Sequence, residues 1–363
     1  MKKEIKLGLR ILVIGTIMLV IGWYFVYKYN YNNTLKHEIK YTQIIVDEMS
    51  HNVEDRLLEK IKTNKTLAVA PILKKALKES NRKFHNLSDI DRSELFNELN
   101  KKWKTTKDPN DAFILEYTNN EISHFFNLQQ ENLKGEYGEI FLTNKYGSVV
   151  ASTAKLSTFV HSHKYWWKGS YNEGNGAIFI DDRGYDESVD GYVLGLVIPI
   201  KENHEIIGIL KVNLNILGAI SDMLESSLLN DFGQNKLIRS EGDVIYSKGE
   251  EPLSTRIPDL LYKKLKSSEN NSFLFYDSTN YWVIGKSKIL ITSNNSKNYI
   301  FGGSFESADH KKGNSGESWF IVNYRSLDSL VGPLKDTTKI IVIFGLIFVF
   351  IIAIAAFFFG IYT

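Results

Sequence analysis

Two unbroken apolar runs bracket the chain. Residues 7–27, LGLRILVIGTIMLVIGWYFVY, carry a single charge at Arg10, and residues 340–362, IIVIFGLIFVFIIAIAAFFFGIY, carry none. A helix needs about 20 apolar residues to cross ~30 Å of hydrocarbon. The pattern therefore predicts one transmembrane helix at 8–28 and another at 338–362. Trp23, Tyr24 and Tyr27 stand where an interfacial aromatic belt would lie. A cleaved signal peptide fits the first run less well, because the run is too long and YKYNYNN follows it in place of a small-residue cleavage site.

Between the runs the period changes. Over 32–79 the apolar residues Leu35, Ile39, Ile45, Met49, Val53, Leu57, Ile61 and Leu67 recur mostly four apart, with near-heptad gaps between, and Glu48, Asn52, Asp55 and Lys60 fill the intervals. That spacing predicts one long amphipathic helix, kinked near its end by Pro71. Further helices are predicted at 88–103, opened by Ser88 with Asp91 three residues on, and at 109–132. From 138 the alternation is that of strands. GEIFLTNKYGSVVAST turns at Lys145-Tyr146-Gly147, and AIFIDD, GYVLGLVIPI and EIIGILKVNLNI follow, with HSHKYWWKGSYNEG at 161–174 as a short helix between them.

A weaker copy of the pattern follows. It comprises a helix at 216–229, KLIRSEGDVIYSKG at 236–249, the short helix IPDLLYKKLKSS, and strands in SFLFYDSTNYWVIGKSKI and ESWFIVNYRS. The polar, Gly-rich residues between the last two read as a long loop or hairpin. The predicted class is α+β, with antiparallel sheets carrying helices on a face. The predicted order is a cytoplasmic tail (1–7), a span (8–28), a stalk helix (32–79), two α/β modules (80–215 and 216–336) and a second span (338–362).

Charge fixes the orientation. Lys2, Lys3, Lys6 and Arg10 precede the first span, so the N-terminus is expected in the cytoplasm, the C-terminus beside it, and residues 30–337 outside. The chain ends with its second span, and an output module is expected beyond it. A formal net charge of only +2 offers no concentrated basic surface, so no nucleic-acid partner is expected. The absence of cysteine removes disulfides, thiolate nucleophiles and cysteine-bound zinc.

No motif announces catalysis. His161 and His163, two apart, read as exposed histidines with no third metal ligand at a recognisable spacing. Gly302-Gly303-Ser304 and Gly313-Asn314-Ser315-Gly316 match no nucleophile elbow. DDRGYDESVDG lacks the spacing of a calcium loop. The chain reads as non-enzymatic, with no cofactor and no metal.

From about 33 to 336 the order of elements resembles a double Cache sensor domain, the extracytoplasmic part of transmembrane prokaryotic receptors of the histidine-kinase, chemoreceptor or diguanylate-cyclase type. Many amino-acid-binding members carry Arg-x-Trp-Tyr on a short pocket helix, then a Tyr-and-Asp strand segment and a later Asp. Lys164-Tyr165-Trp166-Trp167 stands at the first motif, Tyr185-Asp186 near the second and Asn213 at the third. The resemblance implies a ligand site of Phe159, Lys164, Trp166, Trp167, Tyr185, Asp186 and Asn213 in the membrane-distal module. It also implies a small-molecule ligand, a homodimer, and a two-pass protein of the inner or plasma membrane.

The departures carry chemistry. Lys164 offers a point charge where arginine grips a carboxylate with two parallel bonds, and Asn213 keeps an acceptor but loses the charge. Aromatic walls beside Asp181, Asp182, Asp186 and Asp190 suit a cation, so an amino-acid-like compound, an amine or another small metabolite is expected. The alternative is a membrane-anchored interaction or assembly protein with no small ligand.

Overall fold

No glycine or proline interrupts residues 23–68, and one helix, α1 (Lys2–Ala68), runs from the first apolar run into the amphipathic stretch. A computed structural model describes residues 2–133, 136–186, 191–225, 233–239, 241–292, 299–302 and 318–362. The helix expected to reach 79 is two helices. Pro71 does not kink it but opens α2 (Pro71–His85), where its missing amide costs nothing. It also holds Ala70 in an extended conformation, φ −56° and ψ 129°. Ser88 caps α3 (Asp89–Thr105), accepting from the Asp91 amide at 3.1 Å. The helix expected at 109–132 is likewise two, α4 (Ala112–Thr118) and α5 (Glu121–Asn132), the second capped by Asn120.

The chain packs as two units. The first comprises Met1–Ile45, Lys263–Lys286 and Asn323–Thr363. In it, α1 is joined by the C-terminal helix α9 (Leu327–Tyr362). Both helices are long and apolar enough to cross a membrane, with windows of mean hydropathy 2.1 and 2.8. Met18, Phe25, Phe344 and Phe348 are well exposed, a sleeve that suits lipid rather than water. Small residues mark where the two helices touch. Gly15 lies against Val349, where an added Cβ would sit 3.0 Å from the Val349 methyl, and Gly345 lies against Leu19. Buried Val283, Leu327 and Val331 pack with Leu35 and Ile39 of α1.

The second unit comprises Val46–Tyr262 and Ser287–Val322. It holds a six-stranded sheet built from β1 (Tyr137–Asn144), β2 (Val149–Ser152), β3 (Ile178–Asp186), β4 (Gly191–Glu202), β5 (Glu205–Asn215) and β10 (Tyr299–Gly302), in the order β10-β3-β4-β5-β1-β2. The sheet is not purely antiparallel. β10, expected as part of a loop or hairpin, pairs parallel with β3 from Tyr299↔Ile178 to Gly302↔Asp181. Gly208 of β5 lets Leu77 of α2 lie on the strand, so α2 covers one face of the sheet. The α1 stripe Val46, Met49, Val53, Leu57 and Ile61 is buried within the chain, so it is not an open face for a second copy.

The remaining elements are α7 (Ile216–Leu224), β6 (Gln234–Arg239), β7 (Val244–Ser247), α8 (Asp259–Ser267), β8 (Ser272–Tyr276), β9 (Tyr281–Lys288) and β11 (Trp319–Ser326). A second sheet runs β7-β6-β11-β9-β8. The architecture is α+β with a long N-terminal helix and two largely antiparallel sheets.

Candidate functional site

The short helix α6 (Tyr165–Tyr171) lies against the first sheet on the face away from α2. Two features hold it there. Gly169 admits the Phe179 ring where any Cβ would overlap it, and Ser170 Oγ donates to the Ala177 carbonyl at 3.0 Å. Asn172 then ends the helix in the left-handed conformation, φ 48°, which asparagine tolerates. With the helix so close, Trp166 and Trp167 are both buried.

Strand register determines what they meet. Asp181 pairs with Gly195 and Gly195 with Asn213, while Val197 pairs with Lys211 and Lys211 with Phe141. Residues opposite one another share a face. Asp181, Lys211 and Asn213 therefore stand together beneath α6.

Lys211 Nζ donates to Asp181 Oδ2 at 2.7 Å, and the Tyr165 hydroxyl donates to Asp181 Oδ1. The same ammonium lies 4.3 Å from the centroid of the Trp166 ring. The two charged side chains are 1% and 0% exposed. Lys211 reaches across β4 only because residue 195 is glycine. A Cβ there would stand 2.9 Å from Lys211 Cε and 3.0 Å from Asp181 Cβ.

Two polar side chains beside this pair are incompletely bonded. Asn213 Nδ2 donates to Glu139 Oε2 at 3.4 Å, but its buried Oδ1 has no hydrogen-bond partner among the described residues. His161, expected to be exposed, is buried between Phe141 at 5.3 Å and Trp166 at 5.5 Å. Its Nδ1 lies 3.5 Å from Thr158 Oγ1, and its Nε2 has no partner among the described residues. Burial, and then the Lys211 and Lys164 charges, press the imidazole pKa down to about 3.

The sign of that shift gives a pH dependence. Above the ordinary value of 6.5 both folded and unfolded chains hold a neutral imidazole, and its contribution to stability is complete. As pH falls through 6.5 the unfolded chain takes up a proton that the folded chain refuses until about 3. Stability then drops by about 1.4 kcal/mol per pH unit from this group alone. His161→Phe is expected to flatten that part of the slope. Urea unfolding of both proteins at near-neutral and mildly acidic pH measures it, and identical slopes would contradict it.

The other expected residues scatter. Trp167 Nε1 donates to Thr143 Oγ1 at 3.2 Å, and its ring stacks on Tyr171 at 4.8 Å. Lys164 is the half-buried N-cap of α6. Phe159 joins a different set of rings, 4.8 Å from Tyr117 and 5.5 Å from Trp103. There it lines a cavity of about 280 Å³ with Phe84, Glu116 and Tyr117. Tyr185 and Asp186 continue β3 opposite Tyr192 and Gly191, and their side chains lie outside the described residues, as does Asp190. Sequence reasoning missed Lys211 and Glu139 and took Asp181 only as nearby acid. The available signals were a lysine inside the run GILKVNLNI and a glycine inside the strand VLGLV, the latter a mark of close approach.

A second buried network lies on the reverse of β3. Asp182 accepts from Arg239 Nε at 3.1 Å and Nη2 at 3.0 Å, from the Tyr192 hydroxyl, and from Trp319 Nε1 at 3.1 Å. Neighbouring residues of a strand face opposite ways, so Asp181 and Asp182 stand back to back.

No family model and no curated protein matches the chain. Solved structures similar to it include the ligand-binding domain of the Campylobacter jejuni chemoreceptor Tlp3 in complex with L-valine, at 12% identity and TM-score 0.47, covering 83% of this chain and 98% of that one. The ligand-binding domain of the Pseudomonas aeruginosa amino acid chemoreceptor PctC, in complex with GABA, is 12% identical with TM-score 0.42 over 79% and 98%. That of the Pseudomonas fluorescens chemoreceptor CtaA, in complex with L-isoleucine, is 11% identical with TM-score 0.44 over 83% and 97%. These three structures are ligand-binding domains of chemoreceptors.

Proposed function

We propose that the chain is the sensory half of a transmembrane receptor of the inner or plasma membrane. In this reading residues 30–337 lie outside, and a small ligand binds in the membrane-distal module, residues 80–215, beneath α6. Binding shifts a two-state equilibrium that both spans carry inward. The observation that carries the reading is a pair of buried polar atoms with no hydrogen-bond partner among the described residues, Asn213 Oδ1 and His161 Nε2, beside the Lys211–Asp181 ion pair. Leaving a buried polar group unpaired costs about 1–3 kcal/mol, and a bound molecule supplies the missing partner. Asn213 Oδ1, with its amide nitrogen turned to Glu139, asks for a hydrogen-bond donor.

The test is a library of amino acids, amines and small carboxylates offered to the full chain in detergent micelles. A saturable rise in Tm with at least one compound is expected, growing as RT ln(1 + [L]/Kd), and Asn213→Ala should reduce it. Homodimerisation is part of the same reading. It would use the exposed side of α1, so single cysteines at Ile44, Glu48, His51 and Asp55 should cross-link in membranes where uninvolved positions do not.

One observation favours the rival, an anchored interaction protein without a small ligand. Trp166, Asp181 and Lys211 already satisfy one another. That reading predicts a flat response to the whole library.

A further inference from the structure

Two groups converge on one ammonium at the inner face of α6, and a third fixes one of them. Asp181 Oδ2 lies 2.7 Å from Lys211 Nζ, the Trp166 ring centroid lies 4.3 Å from it, and the Tyr165 hydroxyl holds the other Asp181 oxygen. A carboxylate fixed by a hydroxyl and roofed by an indole face is a receptor for a primary ammonium. The ammonium it holds is the chain's own, on a flexible stem that hangs from β5 and crosses Gly195.

The position itself does not call for a charge. The residues paired with it, Val197 and Phe141, are apolar and buried. An ion pair this deep is also weak support for stability, since desolvation offsets most of its attraction. Yet a stripe of glycine and carboxylate is arranged to receive it.

We propose that Trp166, Asp181 and Tyr165 form a primary-ammonium subsite that Lys211 occupies as a tethered competitor, so that the wild-type site rejects free amines. The proposal deepens the receptor reading and rests on it for its bearing on signalling. A tethered group acts at an effective concentration of millimolar or more, and a free amine must outcompete it. An incoming ligand then meets Asn213 Oδ1, His161 Nε2 and, at the rim, Lys164, while its own amine finds the aromatic subsite filled. Lys211 is thereby a specificity-determining residue. Its removal should convert an amine-excluding site into an amine-accepting one.

The experiment is chemical rescue of the full chain in micelles. Lys211→Ala deletes three methylenes and an ammonium, which n-propylammonium replaces atom for atom. Lys211→Ala is expected to melt several degrees below wild type. n-Propylammonium should raise its Tm saturably and recover at least half the loss, while leaving wild type unmoved. n-Propanol, of the same shape without the charge, should give little, and the Lys211→Ala, Asp181→Asn double variant should not respond. If Lys211→Ala is too unstable to purify, its refolding yield with and without n-propylammonium gives the same comparison. No rescue, equal rescue by propanol, or an equal response in wild type would each overturn the subsite. Rescue together with a blank library screen on wild type would leave the subsite standing and remove the receptor reading, so the two failures are distinguishable.

Discussion

Asp182→Asn is expected to cost about 3–5 kcal/mol of folding stability, the usual penalty for breaking one side of a buried ion pair. The Asp182 carboxylate accepts from Arg239, Tyr192 and Trp319, and Arg239 Nη2 also donates to the Tyr192 oxygen at 2.8 Å. Every one of those partners reaches Asp182 with a donor. An asparagine supplies one acceptor oxygen and turns an NH2 toward the rest, so donors face donors. It also leaves the guanidinium uncompensated at 5% exposure, where water cannot take over. Asp336→Asn is the control. Its pair with Lys339 is 72% exposed on both sides, and the loss there should be under about 0.5 kcal/mol. Urea unfolding followed by circular dichroism compares the two. Equal losses would mean that the Asp182 cluster is no more than a surface contact.

The parts of the fold legible in the sequence are those whose signal is local. Apolar runs of transmembrane length, the strand alternation from 138 and the Ser88 cap can each be read from a few neighbouring residues. Pro71 was legible as a break, but whether a proline kinks a helix or opens one depends on what the preceding residues do. Ala70 turned extended, and the helix restarted. β10 was not legible, because its partner β3 lies more than a hundred residues earlier and a four-residue edge strand has no period to detect. Lys211 failed for a subtler reason. In GILKVNLNI a lysine reads as the solvent side of a half-buried strand, yet β5 is buried on both faces along most of its length. A charge at such a position had to find Asp181 two strands away, and only the register and Gly195 say that it does. Phe159 was expected beside Trp166 and went to the α3–α4 rings instead, because aromatic residues share one large core and sequence alone does not say which neighbours each will meet.

Trp166→Ala is expected to lower stability by about 3–5 kcal/mol, as large-to-small changes in packed aromatic cores do. The ring is buried against Phe141 at 5.7 Å and His161 at 5.5 Å, and its face carries the Lys211 ammonium. Stability loss alone cannot separate a pocket wall from a core plug, since both predict it. Trp103→Ala separates them. Trp103 is fully buried in the same core and bonded to the Leu156 carbonyl at 2.7 Å, but its ring meets Phe113, Tyr117 and Phe159 rather than the ion pair. Its removal should cost a similar amount of stability. For any compound that raises the wild-type Tm, isothermal titration at a temperature where all three proteins are folded should then divide the variants. Trp166→Ala should bind about one to two decades more weakly, the equivalent of 1–3 kcal/mol for a buried aromatic anchor, and Trp103→Ala should bind within a factor of a few of wild type. Similar losses of stability with unequal losses of affinity are the expected result. If Trp166→Ala retains wild-type affinity, the ligand sits elsewhere, and the cavity beside Phe159 and Tyr117 becomes the place to look.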